Sequence, residues 1–313
     1  MHAARWTLAA TTALLTGCAA IPQPDTVQSL TRPALTNETA QSVVKHYNAI
    51  ATSADRQLSE ELITDVQSGD LLRQTTAAYK IGRLLKKPVE RPSPVTVSSV
   101  GAPEYSGYPM RFVASSNKQL SVWERSSAGA GWRLTFVVPP GAAAKVPDVG
   151  GVREVAPTAA TGPVESPSVA ATKFADLLTI GAKSPNAKLF APTPEISKLQ
   201  KGLAADHAAG GTQYVLAVTD TFTVNAPPIA FRTSSGEVLA FFTLTDANVM
   251  RPRLGAMWPV GQDTAAFSAP NHLYRNALTT SLLHQVAIAI PAEKGAKIRI
   301  LGFTTQLVDS GGY

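Results

Sequence analysis

The order of the periodic segments constrains the fold of this chain most, because helix-like and strand-like stretches come in two blocks, each with its helices first. In each block, apolar residues recur at helical spacing and then alternate at the period of a β-strand. Prolines end the first helical stretch. Helices packed on one face of an antiparallel sheet define an α+β domain. The sequence therefore predicts an α+β fold of two repeated modules, each with helices followed by a curved antiparallel sheet.

Capping residues and apolar stripes locate the individual elements. Thr36 or Asn37 is a suitable N-cap, and Glu38 adds an acidic residue to the first turn. The stripe of the first helix consists of Val43, Val44, Tyr47, Ile50 and Ala51. Predicted helices continue at 59–66, 70–85, 168–180 and 195–209. Predicted strands cover 95–100, 110–114, 119–125, 132–138, 214–222, 229–233, 238–244, 283–290 and 297–308.

The 313-residue chain contains one cysteine, Cys18, and 44% hydrophobic residues. That length favours two domains, and the hydrophobic content is sufficient for their cores. With a single cysteine near the N-terminus, a disulfide framework or a cysteine metal site is excluded within the chain. We therefore expect the fold to be held together by packing alone.

The N-terminal segment ends in Leu15-Thr16-Gly17-Cys18, which resembles the lipobox of bacterial lipoproteins. Arg5 and the apolar residues 6–15 fit the positive and hydrophobic regions of a signal peptide. The apolar run is shorter than the ~20 residues that span a bilayer. The resemblance implies that residues 1–17 are removed, that Cys18 is lipidated, and that the protein is anchored on the extracytoplasmic face of the cell membrane.

Composition divides the remaining chain into segments. Residues 18–35 contain prolines without periodicity and are interpreted as a lipidated tether. Residues 36–140 form the predicted first module, and 168–313 form the second. The proline- and glycine-rich residues 141–167 between them are interpreted as a linker. We expect the two modules to fold separately.

An internal similarity supports duplication of the module. Residues 108–126 align with 227–245 without a gap, and five of the nineteen positions are identical. The position of the predicted turn and the alternation of apolar residues also agree between the two stretches. The matched positions are Pro109 with Pro228, Phe112 with Phe231, Ser115 with Ser234, Ser116 with Ser235, and Leu120 with Leu239.

The order of elements resembles the nuclear-transport-factor-2-like and cystatin-like folds. Together with the lipobox, the strands YPMRFVA, GWRL and GEVLAFF resemble an uncharacterised group of actinobacterial lipoproteins with two α+β modules. The resemblance implies a fold and a location but no activity. In folds of this kind, helices and sheet can enclose an apolar pocket, so Phe112, Trp123 and Trp132 are candidate pocket-lining residues. The alternative is that these aromatic side chains fill the core.

Local motifs for catalysis, cofactors and metals are missing. The histidines of the mature chain have no zinc-binding spacing, and the sequence has no GxSxG, GxGxxG or GxxxxGK[ST] motif. We therefore predict no catalytic residue, no cofactor and no metal. Each mature histidine is expected to be isolated, exposed or bonded only to backbone. These histidines are His46, His207, His272 and His284.

The charge of the chain bears on its partners. The formal net charge is +6 and the sequence pI is about 9.4. Nucleic acid is not expected as a partner outside the cell, whereas anionic envelope components, or another envelope protein, suit a basic surface near a membrane. Dispersed solubilising charge is the alternative. The basic clusters are Arg83 with Lys86, Lys87 and Arg91; Arg251 with Arg253; and Lys294 with Lys297 and Arg299.

Three functions remain open from the sequence. The first is a non-catalytic envelope lipoprotein that acts as a binding or interaction module. The second is a lipid-anchored hydrolase whose residues converge only in three dimensions. The third is a solute-binding protein, which fits less well because such proteins have parallel sheets and the strands here form hairpins.

Cys18→Ala tests the proposed anchor. We expect the variant to remain unprocessed or to be released from membranes, because the acylated thiol is lost. Intact-mass analysis of the native protein should show the loss of residues 1–17 and the gain of acyl chains. Retention of the variant on membranes after a high-salt wash would contradict this interpretation.

Overall fold

The structure is a computed structural model that describes residues 31–312, apart from 90–93, 143, 161–164, 255–257, 260 and 269–272. Cys18, the predicted signal peptide, Arg91 and His272 lie outside the described residues. The chain from Thr31 onward forms one compact unit. Within the described ranges, no helix combines the length and the apolar character needed to cross a membrane.

In the part of the chain that the structure describes, five α-helices begin at polar or proline-containing caps. The Thr36 hydroxyl accepts from the N–H of Thr39 at the start of the first helix, as its sequence predicts, and Ser59, Ser166 and Thr193 cap three others. The helices are α1 (Asn37–Gln57), α2 (Glu60–Val66), α3 (Gly69–Leu85), α4 (Pro167–Ile180) and α5 (Pro194–Ala209). Short 3-10 helices cover Gly181–Lys183, Pro185–Leu189 and Thr264–Phe267.

The strands form antiparallel sheets. They are β1 (Arg32–Pro33), β2 (Ser99–Gly101), β3 (Glu104–Tyr105), β4 (Met110–Ser115), β5 (Leu120–Arg125), β6 (Arg133–Val138), β7 (Arg153–Val155), β8 (Val215–Val224), β9 (Ile229–Arg232), β10 (Val238–Pro252), β11 (Trp258–Pro259), β12 (Leu273–Tyr274), β13 (Leu278–Ile290) and β14 (Arg299–Gly312). The smaller main sheet has the order β2-β4-β5-β6. The larger has the order β14-β13-β10-β9-β7, with β8 also paired to β10. The α+β class predicted from the sequence is confirmed.

The two main sheets pack face to face and carry helices on their outer faces. Their shared core includes Val122 and Phe136 from the smaller sheet and Phe241 and Ala289 from the larger one. The rings of Phe136 and Phe241 lie edge to face with centroids 5.5 Å apart. Helices α1 to α3 cover the smaller sheet, and α4 with α5 covers the larger. The order of layers is helix, sheet, sheet, helix.

A buried glutamine joins the two sheets by hydrogen bonds. Gln285 of β13 is fully buried. Its Oε1 accepts from the N–H of Val137 at 3.1 Å, and its Nε2 donates to the carbonyl of Thr135 at 3.1 Å. Since β6 is the edge of the smaller sheet, this side chain takes the place of a neighbouring strand for its backbone.

The proposed duplication is not confirmed, although both halves place helices before a sheet. Phe112 pairs with Trp123 across β4 and β5, whereas the aligned Phe231 pairs with Leu239 across β9 and β10. The second hairpin has a longer connection, which reverses the faces of β9. Phe112 therefore faces helices α1 to α3, while Phe231 lies between the sheets.

The segment predicted as a linker takes part in the fold. Val149 and Val152 pack in the core between the sheets, and β7 pairs with β9. The packing gives no support to separate folding of two modules. The boundaries at 140/141 and 167/168 stay predictions.

Gln285→Leu tests the connection between the sheets. The substitution removes the partners of two backbone groups, each of which costs about 1–3 kcal/mol when left unpaired. We expect the free energy of unfolding to fall by at least about 2 kcal/mol, in a single transition monitored by both fluorescence and circular dichroism. Gln306→Leu, on the neighbouring strand, is the control. Two separate transitions in the native protein would contradict the shared core.

Candidate functional site

A cavity of about 690 Å³ lies where helices α1 and α3 approach the outer strand of the larger sheet. We call it the helix–sheet cavity. Leu71, Gln74, Thr75 and Ala78 line it along one face of α3, and Thr304 to Gln306 line it from β14. Its volume is in the range of small-ligand sites. Other apolar walls come from Tyr47, Ala51, Val89, Val95 and Val137.

Three buried glutamines are among the polar groups of the cavity, whose lining also includes Asn48, Thr52, Asp55 and Arg56. Gln67 is 2% exposed and Gln119 is 3% exposed. Gln74 Nε2 donates to the carbonyl of Leu283 at 2.8 Å, while Gln67 Nε2 donates to the hydroxyl of Tyr47 at 2.8 Å. Gln67 Oε1 has no hydrogen-bond partner within the part of the chain that the structure describes. An unpaired buried acceptor is costly, which makes Gln67 a candidate ligand contact.

Register shows which backbone groups β14 presents to the cavity. The carbonyl of Thr243 accepts from the N–H of Asn225, so the backbone of Thr243 bonds away from β13. Because successive residues bond to opposite sides, Leu244 bonds to its β13 partner, His284. His284 therefore bonds to β10 and leaves its β14 partner, Thr305, without ladder bonds. The N–H and C=O of Thr305 point away from the sheet, at the cavity edge.

The outer edge of β14 is occupied on both sides of Thr305. The carbonyl of Leu301 accepts from the N–H of Gly141 at 2.7 Å. The carbonyl of Leu307 accepts from Nε2 of the neighbouring Gln306 at 3.0 Å. Among the described residues, no backbone group bonds to Thr305 across this edge. Thr305 therefore offers a free donor and acceptor in the cavity wall.

The side chain of Thr305 belongs to a polar cluster on the helix α4–α5 side of the larger sheet. Its Oγ1 lies 2.8 Å from Nδ1 of His284, which is 2% exposed. Nε2 of His284 lies 3.6 Å from Oδ2 of Asp246, longer than a hydrogen bond. Burial raises the pKa of Asp246; the His284 imidazole opposes this rise and the Asp220 carboxyl adds to it.

The second histidine of this cluster lies at its surface. Nε2 of His207, on α5, is 2.6 Å from Oδ2 of Asp220, and the side chain of His207 is 39% exposed. Nδ2 of Asn248 donates to Oδ1 of the same carboxylate at 2.8 Å. The expectation that every histidine is isolated, exposed or bonded only to backbone was wrong for His284, which is buried and bonded to the Thr305 hydroxyl. His207 is exposed, as expected, although it also contacts Asp220. His46 is exposed, as expected.

A second cavity, of about 890 Å³, is lined by charged groups, and the most buried of them, Arg111 and Glu154, already have partners. Arg111 pairs with Glu124 at 2.7 Å and with Glu154 at 2.5 Å. The hydroxyl of Tyr105 donates to Glu154, and burial raises the pKa of that hydroxyl. These bonds leave the cluster less suited to a ligand than the helix–sheet cavity.

The aromatic residues predicted as candidate pocket lining lie in the core under α1 to α3. Phe112 and Trp123 are fully buried and stacked, with ring centroids 5.6 Å apart. Trp132 contacts Phe112 edge to face at 5.0 Å. Within the described ranges, none of the three lines either cavity.

The predicted basic clusters are partly paired in the structure. Arg83 contacts Glu60 at 2.5 Å, and Arg299 contacts Glu237 at 2.7 Å. Over the described part of the chain, no group of three or more histidine, cysteine or acidic residues is arranged to hold a metal ion.

The sequence reasoning missed the glutamines and the edge of β14. Glutamine has no diagnostic spacing, and only the fold brings Gln67, Gln119 and Thr305 to one cavity. One signal was present: a carboxylate, Asp246, and an amide, Asn248, alternate within a stretch that continues the apolar strand after Leu244. Titratable groups whose pKa is shifted, as burial raises that of Asp246, often mark functional regions.

Comparison with known proteins identifies a family. A family model described as a domain of unknown function, DUF8094, matches residues 31–312. No curated protein and no solved structure matches the chain.

Asp246→Asn tests the electrostatics of the polar cluster. A carboxyl whose folded pKa is raised binds protons more strongly in the folded protein, so its contribution to stability is lost as pH rises above the ordinary value of 3.8. We expect the stability of the variant relative to the native protein to increase with pH, by at most about 1.4 kcal/mol per pH unit. Denaturant unfolding between about pH 4 and pH 8 measures this. The exposed Asp65→Asn is the control, and an equal pH profile for both variants would contradict the assignment.

Proposed function

The chain belongs to the DUF8094 family, and we propose that it is a binding module of the cell envelope. In this proposal, lipid on Cys18 anchors the protein to the extracytoplasmic face of the membrane, and the helix–sheet cavity holds a ligand from another envelope component. The lipobox-like sequence Leu15-Thr16-Gly17-Cys18 supports the anchor. The shape and chemistry of the cavity support binding.

The observation that carries the proposal is the unpaired Oε1 of Gln67 beside an apolar cavity. Native proteins pair nearly all buried polar atoms, and a ligand donor at this position would remove the cost of the unpaired acceptor. Leu71 and Ala78 of α3 supply apolar surface in the same cavity. The lining also includes one acidic and one basic residue, Asp55 and Arg56, whose formal charges cancel. The cavity therefore suits a ligand without net charge that combines apolar groups with hydrogen-bond donors and acceptors.

The hydrolase alternative has one observation in its favour, the contact between Thr305 Oγ1 and His284 Nδ1. A nucleophile of this kind needs a base that is itself held by a third group. The 3.6 Å between Nε2 of His284 and Oδ2 of Asp246 is longer than a hydrogen bond, and Nε2 has no hydrogen-bond partner among the described residues. Strand alternation also turns the Thr305 side chain away from the face that carries Thr304 and Gln306. Binding therefore remains the better-supported function.

Ala78→Trp tests binding at the cavity. The indole would fill the space along α3, so we expect at least a tenfold loss in affinity for the neutral dye Nile red, measured by its fluorescence increase. Thr76→Trp, on the same helix but outside the cavity lining, is the matched control and should bind as the native protein does. Equal affinities for the two variants, or no dye binding by the native protein, would refute the proposed function.

A further inference from the structure

We propose that the ligand of the helix–sheet cavity is an extended peptide segment that adds as a strand to the edge of β14 at Thr305. This inference rests on the proposed binding function and names the chemical class of the ligand. Strand addition joins a peptide to a sheet through main-chain hydrogen bonds, while pockets beside the edge receive alternate side chains. The edge, the amide groups and the neighbouring chain each support it.

The edge has the backbone groups that strand addition needs. Alternate residues of β14 direct their backbone groups away from β13. Phe303 and Leu307, two residues on either side of Thr305, therefore also turn their backbone groups outward. The three residues extend over about 13 Å, at about 3.3 Å per residue. The Nε2 of Gln306 donates to the carbonyl of Leu307. An N–H of a bound peptide can replace this side-chain donor.

The glutamines suit a peptide better than a hydrocarbon ligand. Each carries both donor and acceptor groups, as a peptide bond does. Gln67 Oε1 lacks a donor among the described residues, and an N–H of a peptide would supply one. Apolar walls from Leu71, Val95 and Val137 favour small apolar side chains on the peptide.

The chain itself already uses this edge at one point. The segment with Pro139 and Gly141 approaches β14, where the Gly141 N–H bonds to Leu301. A Cβ on Gly302 would meet the carbonyl of Pro139 at 2.0 Å, so the backbones are in close contact there. Beyond Leu301 the edge continues along the cavity. A peptide at Thr305 would therefore extend a backbone contact that the fold has begun.

Thr305→Pro tests the inference because it removes the outward N–H without removing a ladder bond. Proline is tolerated on edge strands where its nitrogen faces away from the sheet. Thr305→Ala is the matched control, since it loses the same hydroxyl but keeps the N–H. Uncharged heptapeptides selected from a phage library on the full chain are the probes. We expect peptides that bind the native protein and Thr305→Ala, and whose affinity for Thr305→Pro is at least tenfold weaker than their affinity for Thr305→Ala.

A second measurement examines the peptide side of the same bond. A selected peptide is N-methylated either at its odd-numbered amides or at its even-numbered amides. One of these two patterns should abolish binding and the other should spare it, because only alternate residues of the peptide bond to the edge. Recovery of no peptide above background, unchanged binding to a folded Thr305→Pro, or equal effects of both methylation patterns would overturn the inference. If Nile red still binds and Ala78→Trp still weakens it, the proposed binding function stands without the peptide. If dye binding also fails, both are refuted.

Discussion

The buried interface between the two sheets is the constraint on which the other layers depend. Each sheet uses one face for this interface, so the helices must cover the opposite faces. Gln285 fixes the relative position of the sheets, because its amide bonds to both a donor and an acceptor of β6. This contact also brings α3, which belongs to the first half of the chain, beside strands of the second half. Gln74 of α3 bonds to Leu283 across that junction.

The helix–sheet cavity follows from a difference in strand length. β6 has six residues, whereas β14 has fourteen. The longer strands of the larger sheet therefore extend beyond the region where the two sheets pack together. Helix α3 lies beside this extension with Leu71, Gln74 and Ala78 in the cavity wall. Open sheet edges invite pairing with other chains, and proteins usually cover or interrupt them. Here the Gly141 N–H occupies the edge at Leu301 and the Gln306 side chain occupies it at Leu307, which leaves Thr305 open between them.

The sequence predicted the α+β class and most elements because periodicity and capping are local signals. The first helix is an example: Thr36 caps it, and Val44 and Tyr47 are buried as predicted. The extension of β10 beyond Leu244 was missed because polar residues interrupt the alternation there. The alignment of Phe112 with Phe231 misled for a different reason. Local similarity does not specify register, and one additional residue in a connection moves a side chain to the other face.

Thr305 joins the cavity to the buried polar cluster through two different parts of one residue. Its side chain bonds to His284 on one face of β14, while its backbone lies open at the edge. The side-chain bond restrains the strand where the ladder gives Thr305 no backbone bond. A restrained edge loses less conformational entropy when a partner binds, which favours affinity. The histidine is therefore explained as a support for the binding edge, and this role requires neither proton transfer nor a bond to Asp246.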